Sequence, residues 1–181
     1  ARSGSSLPSF VDGAVNFDGT RQLKTVGNLI LNNTNKVTIA YDLKVSSSSV
    51  VYIFVYGYNA FGGNSFSSLI NDGANGVSLT SSGSAGLNIK VSSISYGEFT
   101  RYIFTFNRDL ISSDQIKIYK NKIENSVVRT GFSTNSNENF TNEILYIGSN
   151  ANGNVPFIGQ IKNFKIWNRI CYILYNIFLR G

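Results

Sequence analysis

The chain has 181 residues, a formal net charge of +6 and no histidine, and only 14% of its residues are charged. Its length suits one domain of about 100–200 residues, and its 42% hydrophobic content argues against long disordered regions. The lack of histidine excludes Ser-His-Asp and Cys-His nucleophiles and histidine-bound zinc, and the single cysteine excludes an internal disulfide.

The beginning of the chain combines a polar stretch with two short strand signals. Residues 1–13 begin with a Ser- and Gly-rich stretch and are expected to form an N-terminal arm or linker. Residues 14–181 are expected to form a single domain. Residues 14–19 predict a strand that ends in Asp-Gly, a strong turn signal, and residues 28–31 predict a second, short strand. Because the sequence begins with Ala rather than Met, we expect a processed product or a piece of a longer chain.

Two strands follow with different patterns. Residues 36–45 alternate, with Val37, Ile39 and Tyr41 on the apolar face, which predicts a half-buried strand whose other face meets water. Residues 50–56 are continuously apolar and aromatic, which predicts a central strand covered on both faces.

The middle of the chain continues as short strands separated by polar turns. Strands are predicted at residues 66–70, 76–80, 86–91 and 99–107, and residues 115–119 are expected to pair with residues 126–132. No helical periodicity of useful length occurs before residue 168. Short strands at a spacing of about 8–12 residues indicate an antiparallel sandwich.

The last clear strand signals lie in residues 144–169. Residues 144–148 and 159–169 predict two strands joined by a loop of Asn, Gly and Ser, and so a closing hairpin. Ile161 is out of phase with Phe164, which predicts a β-bulge at Lys162 and Asn163. Trp167 is expected on the face opposite Phe164, as a residue that packs on the sheet.

Three stretches resemble a known family. The pattern I-G-S, a loop, then F-x-G-x-I-x-x-F-x-I-W-N-R in residues 147–169 resembles the closing hairpin of laminin-G-like and pentraxin-like modules of the concanavalin A-like superfamily. N-F-D-G-T in residues 16–20 resembles the opening strand. Residues 97–130 are similar to the W-H-x-V-A-V-T and V-K-L-Y-V-N-G strands, with Phe99 in place of Trp, Arg101 of His and Lys122 of the final Gly. The resemblance implies an all-β, two-sheet antiparallel jelly-roll sandwich of the concanavalin A-like type.

A glycan site is the first candidate for function. An aromatic ring under the pyranose, with amides on the hydroxyl groups, is the usual chemistry of sugar recognition. Aromatic and amide side chains cluster in two Gly-containing loops, and the candidate ligand-binding residues are Tyr56, Tyr58, Asn59, Phe61, Asn64, Asn150, Asn152 and Asn154. The alternative is ordinary strand packing for the aromatics and turn chemistry for the amides.

A calcium site is the second candidate. Calcium prefers carboxylate, amide and carbonyl oxygens, which Asn71, Asp72 and Asn75 offer on one tight loop. The alternative is that these side chains bond their own backbone in a turn. Members of the resembled family often bind calcium, so calcium is the one cofactor that we expect, if the chain binds any.

The C-terminal segment departs from the resembled family. Residues 170–181 are almost wholly apolar, but they are too few to span a bilayer, which takes about 20 residues. They are expected either to complete the core or to contact a neighbouring subunit. In the second case the interface residues are Ile170, Tyr172, Leu174 and Phe178.

The sequence therefore favours binding over catalysis. Glucanases of this superfamily carry E-x-D-x-x-E along one strand, and the chain has no such run, so it is not expected to be an enzyme. Its Lys and Arg are scattered, so nucleic acid is not an expected partner. We predict a carbohydrate-binding or adhesion module, extracellular or on a particle surface, with a glycan or other surface ligand and neighbouring domains or subunits as partners. The alternative is a structural decoration or attachment domain of a phage-like virion.

Overall fold

The computed structural model describes residues 8–46, 50–57, 64–71, 76–83, 86–111, 114–124, 128–129 and 138–171. These residues form β-strands and no helix, so none of them forms a helix long and apolar enough to cross a membrane. The strands are β1 Ser9–Val11, β2 Ala14–Asp18, β3 Leu23–Lys24, β4 Lys36–Val45, β5 Val51–Tyr56, β6 Ser65–Asn71, β7 Gly76–Gly83, β8 Gly86–Ser93, β9 Thr100–Asn107, β10 Ile116–Lys120, β11 Ile123–Glu124, β12 Val128–Arg129, β13 Leu145–Ile147 and β14 Ile158–Trp167.

The strands form two antiparallel sheets of seven strands each. Sheet A has the order β1-β2-β14-β4-β9-β10-β11, and sheet B has the order β12-β8-β7-β6-β5-β13-β3. The sheets pack face to face as a jelly-roll sandwich, which confirms the predicted fold class.

The core between the sheets is aromatic. Tyr41 of β4 stacks on Phe164 at 5.8 Å and meets Phe54 of the opposite sheet edge-on, also at 5.8 Å between ring centroids. The hydroxyl groups of Tyr41 and Ser68 are 3.0 Å apart, which gives the buried phenol a partner across the sandwich. These contacts identify the inner faces of β4, β14, β5 and β6, and therefore their outer faces as well.

The outer face of β4 is less exposed than its alternation predicts. Thr38 and Ala40 are fully buried and Asp42 is 8% exposed, although all three point away from the core. β4 is the middle strand of sheet A, so side chains of β14 and β9 flank it on both sides. The chain after β14 also returns over it, because Thr38 Oγ1 donates to Arg169 O at 2.8 Å and accepts the Cys171 N–H at 2.9 Å.

The predicted closing hairpin does not form. β13 pairs with β5 and β3 in sheet B, whereas β14 pairs with β2 and β4 in sheet A. The loop between them crosses from one sheet to the other and is fastened by Gly148 N to Ile53 O at 2.8 Å and by Phe157 N to Gly148 O at 2.9 Å. The predicted bulge is confirmed, since the register between β14 and β4 shifts between Lys162 and Lys165.

Three further predictions are corrected. β10 pairs with β11 through a tight turn at Asn121 and Lys122, both with positive φ, while residues 128–129 pair with β8 in sheet B. Residues 28–31 form only an isolated bridge between Leu29 and Glu143. Residues 9–11 of the expected arm form an edge strand on β2. Lys122, which stands in place of the final glycine of the resembled motif, takes the left-handed conformation that glycine adopts most readily, with φ 73°.

Candidate functional site

Tyr56 is a core residue and not a surface ligand, which corrects its place among the predicted binding residues. It has no exposed area, and its ring stacks on Phe66 at 4.5 Å. Its hydroxyl lies 2.8 Å from Leu29 O and 2.7 Å from Thr141 O and accepts the Glu143 N–H at 3.1 Å. The phenol therefore both donates and accepts a hydrogen bond inside the protein.

Asn64 belongs to a buried arginine network. The Arg108 guanidinium donates to Asn64 Oδ1 at 3.1 Å and to Glu138 O at 2.9 Å, and it lies 3.9 Å from the centroid of the Phe140 ring. Burial lowers the pKa of Arg108 to about 10, an effect that the charge of Glu138 opposes. The Asn64 oxygen thus has a structural partner. Tyr58, Asn59 and Phe61, predicted to act with Asn64, lie outside the described residues.

The loop at residues 149–154 is held largely by its own hydrogen bonds. Asn150 Oδ1 accepts the Asn154 N–H at 2.8 Å, and Ser149 Oγ donates to Asn154 O at 2.9 Å. This is the turn chemistry that formed the alternative for these amides. The Asn152 and Asn154 side chains are exposed, so they remain candidate ligand groups.

The predicted sites attach to opposite ends of the sandwich. Gly57 and Asn64, which flank residues 58–63, lie at one end of β6, whereas Asn71 and Gly76, which flank residues 72–75, lie at the other. The loop at 149–154 lies at the second end, since Tyr52 N donates to Val155 O at 3.2 Å. The described residues that flank these two loops are therefore separated by the length of β6.

The predicted calcium residues are described only in part. Asn71 is the last residue of β6, and its side chain, with Asp72 and Asn75, lies outside the described part of the structure. Among the residues that are described, no three acidic or cysteine side chains are grouped so that they could hold a metal ion. Calcium binding at this loop therefore stays a prediction.

The predicted interface is described at its first residue. Ile170 is half-buried and follows the turn that ends β14, and Cys171 lies over Thr38 on the outer face of sheet A. Tyr172, Leu174 and Phe178 lie outside the described residues. A role for this segment in subunit contacts also stays a prediction.

The structure brings together a group of side chains that the sequence did not single out. On the outer face of sheet A, the ammonium group of Lys162 lies 4.0 Å from the centroid of the Phe99 ring, and that of Lys44 lies 5.9 Å from it. All three side chains are half-buried. Phe99 thus holds two cations near its ring, a favourable arrangement for the positive charges.

An ion pair lies beside these lysines. Lys162 is opposite Asp42 in the register, and Asp42 is opposite Arg101. Arg101 binds the Asp42 carboxylate through two nitrogens, of which Nη2 is 3.1 Å from Oδ2. Asn163, at the bulge, donates from Nδ2 to the same Oδ2 at 2.7 Å. Asn163 is an exposed residue and is adjacent to Lys162 in β14.

We name this group of residues, Lys44, Phe99, Arg101, Asp42, Lys162 and Asn163, the bulge cluster. It offers ammonium and amide groups to a ligand, while its carboxylate is already held by Arg101 and Asn163. Glycoside hydrolysis normally needs two carboxyl groups that flank the scissile bond, whereas this cluster has one carboxylate, which is already in an ion pair. The arrangement can bind hydroxyl or acidic groups. Two sequence signals pointed to it: the predicted bulge, and the alternation that places Lys44 on the outer face.

The fold defines a two-sheet antiparallel sandwich that carries the bulge cluster on the outer face of sheet A. A laminin G family model, described as the concanavalin A-like lectin/glucanases superfamily, matches residues 17–171. The chain belongs to this family. A comparison with curated proteins gave no match.

Solved structures with the same fold include glycan-binding domains. Domain 4 of an extracellular arabinanase of Geobacillus stearothermophilus, in complex with arabinotriose, has a TM-score of 0.68 and 18% identity over 90% of this chain and 76% of that one. The Ruminococcus gnavus sialidase CBM40 domain, bound to α2,3-sialyllactose, has a TM-score of 0.56 and 14% identity, over 88% of this chain and 92% of that one. Mouse laminin α1 domains LG4-5 have a TM-score of 0.65 and 11% sequence identity, over 91% of this chain and 44% of that one. At these sequence identities, the structural similarity shows only that this chain shares the fold of these domains.

Proposed function

We propose that the protein is a non-catalytic carbohydrate-binding module of an extracellular or surface-exposed assembly. The observation that carries this proposal is the bulge cluster, in which the exposed residue Asn163 is adjacent to Lys162, whose ammonium group lies near the Phe99 ring. Membership of a lectin and glucanase superfamily supports it, as do the two structural neighbours that were solved with oligosaccharides.

The cluster supplies the polar groups that sugars need. The Lys44 and Lys162 ammonium groups donate hydrogen bonds, and Asn163 Oδ1 accepts them, so both partners of a sugar hydroxyl are available. The exposed amides of Asn152 and Asn154 add further groups on the loop that leads into β14. Because one site of this kind binds weakly, useful avidity comes from repeated copies on an array or from linked domains.

The alternative role, attachment within a virion, depends on contacts through the N-terminal arm or the apolar C-terminal segment. Most of that segment lies outside the described residues. Glycan binding is the function that the described contacts support better.

A binding screen tests the proposal. The purified chain is applied to a glycan array with calcium and with a chelator, and positives are measured by isothermal titration calorimetry. We expect saturable binding of at least one glycan class and no release of reducing ends from polysaccharides. Binding that requires calcium would point to the Asp72 loop. The lack of binding to any glycan, or measurable turnover of a polysaccharide, would contradict the proposal.

A further inference from the structure

We propose that the bulge cluster recognises an acidic glycan, one that carries carboxylate or sulfate groups, and that Lys44 and Lys162 bind the acidic group. This inference rests on the proposed function and adds the ligand class and the residues that recognise it. The anion would lie between the two ammonium groups beside the Phe99 ring, while Asn163 bonds a neighbouring hydroxyl.

The first argument is the charge of the outer face of sheet A. Three carboxylates lie on the outer sides of the strands of sheet A, and each has a cation beside it: Asp42 has Arg101, Asp18 has Arg21 at 3.6 Å, and Glu124 has Lys117 at 3.7 Å. Lys36, on the same face, is paired with Asp109. Any cation on this outer face that has no carboxylate partner therefore gives the face a positive charge.

Three lysines provide that unbalanced charge. In the part of the chain that the structure describes, Lys44, Lys162 and Lys165 form no ion pair. Exposed Glu98 is next to Phe99 in the sequence but is paired with neither lysine of the cluster. Half-buried ammonium groups have lost part of their hydration shell. An anionic ligand that contacts these ammonium groups therefore interacts with them favourably.

The second argument is that the two lysines of the cluster are positioned rather than free. Lys162 lies 4.0 Å from the Phe99 ring centroid, and Lys44 lies 5.9 Å from it, so one ring orders both side chains. The backbone at the bulge is also fixed, since Asn163 is bonded to Asp42. Side chains that are ordered before binding lose less conformational entropy when the ligand arrives.

The third argument concerns the kind of anion. Nucleic-acid surfaces carry many phosphate-binding cations along a groove, and their affinity falls steeply with salt because many counterions are released. Here two ordered cations lie beside an amide that suits hydroxyl groups. That combination fits a sugar with one or two acidic groups better than a continuous polyanion.

The test compares ligands of different charge. Binding of the whole chain to heparin, polygalacturonate and α2,3-sialyllactose is measured by calorimetry beside neutral dextran and linear arabinan, at about 50 and 500 mM salt, across which electrostatic screening rises strongly. We expect binding of at least one acidic glycan, weakened at the higher salt, and weaker or no binding of the neutral ones. Single-stranded DNA of similar charge is the control polyanion.

Matched variants locate the site. Lys44→Gln and Lys162→Gln should each lower the affinity for the acidic glycan about tenfold, as expected for loss of a charged hydrogen bond. Lys162→Arg should largely retain it. Lys24→Gln removes the same charge from exposed β3 of sheet B and should change the affinity less than about twofold. Unchanged thermal unfolding confirms that each variant is folded.

The outcomes separate the two proposals. Binding of neutral glycans only, unaffected by Lys44→Gln and Lys162→Gln, overturns this inference and leaves the proposed function standing. No binding to any glycan overturns both. Equal losses in Lys24→Gln and Lys162→Gln, or DNA binding as tight as glycan binding, overturn the inference because the protein would then be responding to total charge.

Discussion

Asn163 Nδ2 donates a 2.7 Å hydrogen bond to Asp42 Oδ2 from a left-handed backbone conformation with φ 54°. The bulge in β14 creates this conformation, and the hydrogen bond holds the bulge against the neighbouring strand β4. Asparagine tolerates the left-handed region better than most residues, so one side chain meets both the conformational and the hydrogen-bonding requirement.

Replacing Asn163 should separate these two contributions. Asn163→Ala loses the hydrogen bond and adds left-handed strain, and should lower the free energy of unfolding by about 2 kcal/mol. Asn163→Gly loses the hydrogen bond without the strain and should cost about 1 kcal/mol. Urea unfolding measures both. If the two variants were equally stable, the left-handed conformation would not be maintained in solution.

Gly148 lies against the inner aromatic residue Phe17. It has φ +84°, and a Cβ built there would overlap the Phe17 ring. Gly148→Ala therefore combines strain with overpacking and should lower the free energy of unfolding by about 3 kcal/mol or more.

Gly13 is the matched control for Gly148. It has a similar φ of +72°, but no atom of the described residues, apart from Gly13 itself and its two chain neighbours, lies within 4 Å of the position that a Cβ would take there. Gly13→Ala should cost only the strain, about 1 kcal/mol. Chemical denaturation of both variants tests the packing of the crossing loop, and equal losses would contradict the contact with Phe17.

The sandwich could be predicted because alternation and turn chemistry are local properties. The phase change between Ile161 and Phe164 even located the bulge. Pairing is not local: residues 144–148 and 159–169 look like a hairpin, yet their strands belong to different sheets. A polar loop can reverse a strand within one sheet or carry the chain across the sandwich, and its composition does not distinguish the two.

The candidate site was harder to predict for the same reason. Lys44, Phe99 and Lys162 are distant in the sequence and meet only through the register of β9, β4 and β14. Tyr56 was predicted both as part of a covered strand and as a ligand. The structure shows why the first prediction prevails, since backbone groups of Leu29, Thr141 and Glu143 enclose its hydroxyl.

Arg108 should be a major determinant of stability at the Asn64 end of the sandwich. Lysine keeps the charge at this buried position but lacks the planar guanidinium that lies on the Phe140 ring while its Nη1 donates to both Asn64 and Glu138. Arg108→Lys should lower the free energy of unfolding by about 2–4 kcal/mol, since buried partners lose their donors. Lys36→Gln, in an exposed pair with Asp109, should cost less than about 1 kcal/mol. Similar losses in urea unfolding would contradict the network.

Stability should fall in alkaline solution because of buried tyrosines. Burial raises the pKa of Tyr41 and of Tyr102 above the usual value of 10.0. Above pH 10 the unfolded chain therefore loses phenolic protons that the native protein keeps. Each such tyrosine contributes stability that is complete below pH 10 and decreases above it, by at most about 1.4 kcal/mol per pH unit. Arg108 acts in the opposite direction, since its native pKa is lowered to about 10.

Tyr102→Phe isolates one of these contributions. The variant loses the 3.0 Å hydrogen bond from the phenol to Ser93 O, so at pH 8 it should be about 1 kcal/mol less stable than the parent protein. From pH 10 upwards its stability should fall less steeply than that of the parent, so the difference in the free energy of unfolding between the two proteins should shrink. The effect of Arg108 is the same in both proteins and cancels in this difference. Urea unfolding at intervals between about pH 8 and 11.5 measures this difference. A constant difference across that range would mean that Tyr102 ionises as readily in the native protein as in the unfolded chain, which its burial at 1% exposure opposes.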